Sequence, residues 1–168
     1  MCGIVGVFDF RDAVSPEMVQ RMNNTLVHRG PDDEGYYFED DLGLGMRRLS
    51  IIDVEGGNQP VHNEDRSVWI VFNGEIYNYL ELREELRRSG HTFYTESDTE
   101  TIVHMYEYYG ERCLQKLNGM FSFALWDVKR RRLFVARDRL GIKPLYYYAD
   151  EQRICFASEL KALSLIHI

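Results

Sequence analysis

Cys2 is the residue whose position most directly indicates chemistry. It follows the initiator methionine, and methionine aminopeptidases remove that methionine when the second residue is small, as cysteine is. The processed chain would then carry a thiol and a free α-amino group on one residue. An α-amine ordinarily has a pKa of roughly 7.7–8.0, close to the pH at which a general base works best. Cys2 is therefore either a nucleophile activated by its own amine or a buried cysteine of a first strand.

Asn73 and Gly74 form a second candidate, because they follow the almost continuously apolar residues 67–72. Asn-Gly is the strongest short signal for a two-residue hairpin turn. However, residues 75–80 continue in a helical pattern instead of a pairing strand, which favours a strand–loop–helix junction. There the Asn73 amide and the Gly74 N–H could face a developing oxyanion, and losing one such donor typically costs about 2.7–4 kcal/mol of transition-state stabilisation.

Arg48 and Asp98 could bind the charged groups of a substrate. Arg47 and Arg48 are adjacent in a predicted strand, so only one of them faces inward, and the periodicity does not select which. An inward arginine could grip a carboxylate with two hydrogen bonds, whereas an outward one would form a surface ion pair. Asp98 opens a predicted helix, where it would either cap the helix or hold a substrate ammonium group.

Composition excludes several classes of protein. The chain has 168 residues, of which 45% are apolar, as expected for one globular domain. A net charge of −7 argues against nucleic-acid binding. Residues 129–132, Lys-Arg-Arg-Arg, are predicted to form a solvated hairpin tip. No apolar run approaches the ~18 residues of a membrane span, so a cytoplasmic protein is expected.

The sequence spacing predicts neither a metal site nor a disulfide. The three cysteines, Cys2, Cys113 and Cys155, are unclustered and form no CxxC pair. His28 lies in a loop and is expected to make a loop hydrogen bond. The remaining histidines are far apart in the sequence: His62, His91, His104 and His167.

Hydrophobic periodicity predicts helices mostly early in the chain and strands mostly late. Helices are predicted at residues 16–26 and 99–109, and between a capping Asn78 and Gly90. Strands are predicted at residues 4–10, 35–39, 42–48, 67–72 and 92–96. Four more strands, at 121–126, 133–137, 145–148 and 154–157, are predicted to form one antiparallel meander. The residues from 138 to 141 are predicted to be an ordinary turn. Two sheets with helices outside are the expected architecture.

Several segments together resemble the N-terminal glutaminase domain of the glutamine-hydrolysing asparagine synthetases, which are class II amidotransferases with an N-terminal nucleophile. The segments occur in order through nearly the whole chain: MCGI at residues 1–4, HRGPD at 28–32, RLSIID at 48–53, FNGEIYN at 72–78, SDTE at 97–100, NGMFSFALWD at 118–127 and RDRLGIKPLY at 137–146. The residues of the third and fourth segments, RLSIID and FNGEIYN, favour this family over the glucosamine-6-phosphate synthases and phosphoribosylpyrophosphate amidotransferases.

The resemblance implies an α+β fold of four layers, αββα, in which two antiparallel sheets are stacked as in the N-terminal-nucleophile hydrolases. It implies that Cys2 attacks the side-chain amide of L-glutamine while its α-amine transfers the proton. Asn73 and Gly74 would form the oxyanion hole. The products would be glutamate and ammonia, released through a glutamyl thioester, and this domain would need no cofactor and no metal.

The resemblance also assigns the groups that would bind the amino-acid end of glutamine. Arg48 would bind the α-carboxylate, with help from the backbone near Ile51. Glu75 and Asp98 would bind the α-ammonium group.

The resemblance leads to expectations about the rest of the protein. The glutaminase domain is expected to span residues 2–162 and to be truncated. Residues 163–168, Leu-Ser-Leu-Ile-His-Ile, read like a translated sequencing adapter and are expected to be a non-native tail. In the family, ammonia passes to a synthetase domain that uses ATP and Mg²⁺ to activate aspartate. That domain is absent from this chain and is its expected partner; a homodimer is also considered.

Two alternatives stay open. The ammonia acceptor could instead be a sugar, a peptide or an antibiotic precursor, or the domain could be a non-catalytic module of the same fold.

Overall fold

The structure, a computed structural model, describes residues 1–49 and 57–167. Its strands are β1 (Gly3–Asp9), β2 (Asp33–Glu39), β3 (Leu42–Arg48), β4 (Val61–His62), β5 (Val68–Ile76), β6 (Gly119–Asp127), β7 (Arg132–Arg137), β8 (Tyr146–Ala149) and β9 (Arg153–Ala157). Its α-helices are α1 (Pro16–Asn24), α2 (Tyr79–Arg88), α3 (Asp98–Tyr109) and α4 (Leu160–Ser164). Two 3₁₀ turns cover Gly110–Gln115 and Leu165–His167.

The strands form two antiparallel sheets. The first has the order β2-β3-β1-β9-β8, and the second has the order β4-β5-β6-β7. In the first sheet, Gly3 at the start of β1 pairs with Arg47 of β3. The beginning of β1 and the end of β3 therefore lie side by side. In the second sheet, Asn73 of β5 pairs with Ser122 of β6.

Three apolar clusters show how the layers are stacked. One lies between the sheets and is built by both of them: Ile4, Leu42, Leu44, Met46, Val71, Ala124, Trp126 and Phe156. A second joins α1 and α4 to the first sheet, through residues such as Val19, Met22 and Ala162. A third joins α2 and α3 to the second sheet, through residues such as Leu86, Ile102 and Phe123. The order of layers is helix, sheet, sheet, helix, which confirms the predicted architecture.

The predicted single meander is wrong, because the chain changes sheets between β7 and β8. Asp138 organises the connection. Its carboxylate accepts hydrogen bonds from the backbone N–H groups of Phe121, Leu140, Ile142 and Lys143. Residues 138–141 do form the predicted turn, in which Gly141 N–H donates to Asp138 O at 3.0 Å, and this turn is part of the crossover between the sheets.

The strand predicted at residues 92–96 is absent from the structure. Carboxylates replace a neighbouring strand as acceptors: Thr92 N–H donates to Glu64, and Tyr94 N–H and Thr95 N–H donate to the two oxygens of Glu100. These backbone groups are satisfied without a β-ladder.

One predicted helix boundary and one predicted cap also change. The first helix ends at Asn24, not at residue 26. Asn78 precedes α2, but its side chain does not cap that helix; it bonds the backbones of Lys116 and Asn118 instead.

Asn73 and Gly74 lie inside β5, so both the hairpin and the strand–loop–helix predictions are wrong. A Cβ added to Gly74 would lie 2.3 Å from Met120 O and 2.7 Å from Phe121 Cα. Glycine at this position therefore allows β6 to approach β5 closely, and the strand continues to Ile76 before α2 begins.

The basic run at residues 129–132 forms the β6–β7 hairpin tip, as predicted. Its side chains are largely exposed, and each pairs with a carboxylate of Asp65, Asp127, Glu39, Asp41 or Glu111. In the described ranges, none of the helices is both long and apolar enough to cross a bilayer.

Candidate functional site

One end of the gap between the two sheets collects the candidate residues. Alternate residues of a strand face the same side, and Met46 of β3 and Val71 of β5 both lie in the inter-sheet cluster. Arg48 and Asn73 each lie two residues further along, so both side chains point into this gap. Arg48 is 4% exposed and Asn73 is 1% exposed. The open choice between the two arginines is thereby decided for Arg48, whereas Arg47 pairs with Glu34 at 2.7 Å.

Cys2 lies at the same end of the gap, immediately before β1. Its Sγ accepts a hydrogen bond from Leu49 N–H at 3.4 Å and lies 3.7 Å from Leu49 O. Arg29 Nε donates to the Cys2 carbonyl at 3.0 Å, and Arg29 Nη1 is held by Glu159 Oε1 at 3.1 Å. The backbone of the candidate nucleophile is therefore fixed by a partly buried ion pair. Cys113 and Cys155 are buried and free, as expected for core residues.

Asn73 carries a donor suited to a ligand. Its Nδ2 is buried, and within residues 1–49 and 57–167 it has no hydrogen-bond partner. An unpaired buried amide ordinarily costs stability, so an unpaired donor of this kind is typical of a group that acts on a bound molecule. Asn73 lines the same pocket as Cys2.

The backbone of Gly74 faces this pocket for a reason that the strand register supplies. Gly74 is opposite Phe121 of β6. The Phe121 backbone, however, exchanges hydrogen bonds with Asp138 on its other side. Gly74 and Phe121 are thus a non-hydrogen-bonded pair, and the Gly74 N–H is directed toward the opposite edge of β5.

Polar side chains border Gly74 along that edge. Phe72 N–H donates to Gln59 Oε1 at 2.7 Å, and Ile76 N–H donates to Asp98 Oδ2 at 2.9 Å. The Gly74 N–H lies between these two bonds, and Gly74 is one of the residues that line the pocket.

Asp98 reaches the pocket from the start of α3. Ser97, not Asp98, caps this helix, since its side chain accepts from Glu100 N–H at 3.5 Å. Burial raises the pKa of the Asp98 carboxyl to about 6; hydrogen bonds from Ile76 and from its own backbone oppose this rise, and the nearby Glu75 carboxylate adds to it. The charge of a bound cation would offset both the desolvation cost and the repulsion.

Every candidate within the described ranges lines one pocket: Cys2, Arg48, Asn73, Gly74, Glu75 and Asp98. Ile51, the remaining candidate, lies outside the described residues. The pocket thus combines a thiol, unpaired or outward-facing N–H donors, one guanidinium group and two carboxylates. This charge pattern is complementary to a zwitterionic amino acid.

The pocket also contains residues that sequence reasoning missed. Lys143, 7% exposed, lines it, and its Nζ lies 3.6 Å from the Met1 sulfur. Gln59 is buried and supports β5. Neither has a local signal: Lys143 arrives through the Asp138 crossover, and Gln59 belongs to a segment that no periodicity marks.

Two predictions about histidines have different outcomes. His28 is exposed and bonds Glu159 at 2.9 Å, as expected for a loop residue. In contrast, His91 and His104 are far apart in the sequence but close in space, because their Nδ1 atoms lie 3.2 Å apart. Helix α3 and the segment before it bring them together.

Comparison with known proteins agrees with this geometry. The family model described as "Glutamine amidotransferase domain" matches residues 1–167. Glutamine-hydrolyzing asparagine synthetase 1 of Bacillus subtilis is 52% identical over 97% of this chain and 26% of its own length. A Zea mays asparagine synthetase is 44% identical over 98% of this chain and 28% of its own length. The chain therefore spans about a quarter of the length of these relatives.

Solved structures show the same fold at low identity. Glutamine phosphoribosylpyrophosphate amidotransferase from B. subtilis is 20% identical, with a TM-score of 0.80 over 99% of this chain and 44% of its own. A structure described as the allosteric regulatory enzyme of purine biosynthesis is 21% identical, with a TM-score of 0.83 over 99% of this chain and 43% of its own. The αββα fold is that of the N-terminal-nucleophile hydrolases. Sequence, fold and pocket agree, and the chain belongs to the glutamine amidotransferase domain family, in the form found in asparagine synthetases.

Proposed function

We propose that this domain hydrolyses L-glutamine to glutamate and ammonia with Cys2 as the nucleophile. The observation that carries the proposal is the meeting of Cys2 with the unpaired Asn73 amide in a pocket whose charges match an amino acid. The reaction requires removal of Met1, since a peptide bond to Met1 leaves the Cys2 nitrogen without basicity. Met1 also occupies part of the pocket.

In the first half of the reaction, the Cys2 α-amine takes the thiol proton, and the sulfur attacks the γ-amide carbon. Asn73 Nδ2 and Gly74 N–H donate to the oxyanion that forms. The ammonium proton of Cys2 then passes to the leaving nitrogen, and ammonia departs from a glutamyl thioester. In the second half, the same amine takes a proton from water, hydroxide attacks the thioester, and the proton returns to the sulfur.

The substrate is held at its amino-acid end. Arg48 binds the α-carboxylate, with the backbone near Ile51 as a second donor. Glu75 and Asp98 bind the α-ammonium group. Opposite charges at the two sides of the pocket fix one orientation, which places the γ-amide near Cys2.

For the longer protein, we propose that the ammonia is used to convert aspartate to asparagine. The two quoted relatives are named asparagine synthetases, and this chain matches about a quarter of each. The synthetase domain would bind ATP and Mg²⁺, and the glutaminase reaction itself would need no cofactor. We also propose that the protein is cytoplasmic and forms a homodimer. The boundary at residue 162 and the non-native tail stay predictions; Leu163 and Ile166 pack against α1 and the first sheet.

The test measures glutamate release from glutamine, together with the mass of the purified chain. Protein that lacks Met1 should release glutamate, and a glutamine-analogue electrophile should label it once, at Cys2. Cys2→Ala should be folded, unlabelled and inactive. Cys155→Ala changes a buried cysteine that does not line the pocket; it is the matched control and should keep both labelling and activity. Full activity in Cys2→Ala, or in chains that retain Met1, would refute the mechanism.

A further inference from the structure

A cluster of two histidines and two glutamates lies apart from the glutaminase pocket. Glu64, His91, His104 and Glu107 each place one ligand atom within 4.8 Å of the other three. None of the four lines the pocket that contains Cys2. We propose that these residues form a structural zinc site, a role that does not rest on the glutaminase mechanism.

The distances fit a single small cation. Zinc bound tetrahedrally at about 2.0–2.1 Å separates neighbouring ligand atoms by about 3.3 Å. His104 Nδ1 lies 3.2 Å from His91 Nδ1 and 2.8 Å from Glu107 Oε2. His104 Nδ1 lies 3.8 Å from Glu64 Oε2, and His91 Nδ1 lies 3.8 Å from Glu107 Oε2. The remaining two pairs, Glu64 with His91 and Glu64 with Glu107, lie within 4.8 Å, so the Glu64 carboxylate would move inward by up to about 1.5 Å to complete the tetrahedron.

In each of the two glutamates, the carboxylate oxygen that would not bind the ion accepts a hydrogen bond from a neighbouring residue. Glu64 Oε1 accepts from Thr92 N–H at 3.0 Å and Oγ1 at 3.1 Å. Glu107 Oε1 accepts from Asn63 Nδ2 at 2.6 Å. These bonds leave Oε2 of each carboxylate directed toward the histidines. Outer partners of this kind orient metal ligands and tune their affinity.

His104 has the environment of a ligating histidine. It is fully buried, and its Nε2 has no hydrogen bond within the described ranges. That atom lies 3.5 Å from Glu100 Oε1, and the Glu100 carboxylate is itself held by Thr95. A carboxylate beside Nε2 favours a proton there and leaves the lone pair of Nδ1 for a metal.

The charge of the cluster also favours a bound cation. Three carboxylates, from Glu64, Glu100 and Glu107, surround the two imidazoles, and the ion pairs that they make within the described ranges are with His91 and His104 alone. Two facing Nδ1 lone pairs repel each other unless an ion or a proton lies between them. A divalent cation would satisfy both imidazoles and neutralise two carboxylates.

The ligand set and its placement favour zinc in a structural role. Two imidazoles and two carboxylates are a nitrogen–oxygen set suited to zinc, whereas magnesium prefers oxygen ligands. The ligands come from three segments: the β4–β5 connection, the α2–α3 connection and α3. Four protein ligands leave no open position, as in sites that stabilise a fold. Glu64 is 45% exposed at its side chain, so solvent can reach the cluster.

The experiment uses tag-free protein that carries Cys2→Ala, so that the reactive thiol does not bind metal. After treatment with a chelator, the protein is titrated with Zn²⁺ by calorimetry, and bound metal is counted by elemental analysis. We expect one zinc ion per chain and a higher melting temperature with zinc than without it. Co²⁺ in its place should give the visible absorption intensity of a tetrahedral site, and Mg²⁺ should not compete.

Variants with graded effects test the residues individually. Thr92→Val removes an outer partner and should weaken zinc binding by about 10–100-fold. Glu64→Gln and His91→Asn each remove a ligand at a partly exposed position and should weaken it further. Glu84→Gln and His28→Asn change the same residue types elsewhere and should bind zinc as tightly as the parent.

Three results would overturn the proposal. They are an absence of stoichiometric zinc in the parent, unchanged affinity in Glu64→Gln and His91→Asn, or equal losses in the two control variants. An absence of zinc would mean that a proton on His104 occupies the cluster instead.

Discussion

Replacing Asp98 with asparagine should stabilise the fold at neutral pH and impair glutamine hydrolysis. The carboxyl pKa is raised from 3.8 to about 6 in the folded protein, chiefly by burial. Between these two values the folded chain binds more protons than the unfolded chain, so the stability of the wild type falls as pH rises. Each pKa unit corresponds to about 1.4 kcal/mol, so the loss approaches about 3 kcal/mol above pH 6.

Asparagine keeps the oxygen that accepts from Ile76 N–H but has no charge to desolvate. The stability of Asp98→Asn relative to wild type should therefore rise between pH 4 and pH 7 and then level off. For a chain of this size, about 3 kcal/mol corresponds to a melting temperature higher by roughly 6–12 °C. Denaturant unfolding and thermal melts at several pH values measure this difference.

The same variant should lose recognition of the substrate ammonium group. Hydrogen bonds to charged groups contribute about 1.5–3 kcal/mol, so kcat/KM for glutamine should fall by roughly 10–200-fold. Asp150→Asn is the control: backbone hydrogen bonds from Arg153 and Gln152 lower the pKa of that exposed carboxyl, so any pH-dependent change should have the opposite sign. A stability difference that does not vary with pH would refute the burial argument, and unchanged kcat/KM would refute the assignment of Asp98 to the substrate.

Two further substitutions test the oxyanion donors. Asn73→Ala removes a buried amide whose Nδ2 has no partner in the described ranges, so the melting temperature should change little while kcat falls by about 10²–10³-fold; an active variant would exclude this amide from the mechanism. Gly74→Ala places a Cβ 2.3 Å from Met120 O, so β5 and β6 should separate at a cost of about 1–3 kcal/mol. Thermal melts and glutamate release measure both effects, and a Gly74→Ala protein with wild-type stability and activity would contradict the packing argument.

Much of the fold could be predicted because its layers follow hydrophobic periodicity. In the part of the chain that the structure describes, eight of the nine predicted strands and three long helices lie near their predicted positions, and the two-sheet architecture follows from them. The exceptions depend on hydrogen bonds from backbone N–H groups to carboxylates, which hydrophobic periodicity does not report. Residues 92–96 lack strand partners because Glu64 and Glu100 bond their backbone, and Asp138 carries the chain from one sheet to the other.

The site, too, could be predicted only in part from local sequence. Local sequence left the inward arginine undecided, and only the inter-sheet packing of Met46 and Val71 selects Arg48. Ser97 caps α3 and thereby frees Asp98 for the pocket. The proximity of His91 to His104 could not be predicted, because no histidine spacing marks it.

Alternate backbone N–H groups along the edge of β5 lie at a fixed spacing, which bears on the length of the substrate. Gly74 and Ile76 are two residues apart, which in an antiparallel strand is about 6.8 Å. One N–H faces the proposed oxyanion, and the other anchors Asp98, the proposed ammonium ligand. The strand repeat therefore sets the distance between the two proposed binding groups. If Gly74 and Asp98 bind the amide and the ammonium group as proposed, a side chain one methylene shorter, as in asparagine, would not reach both, and we expect the domain to discriminate against asparagine for this reason.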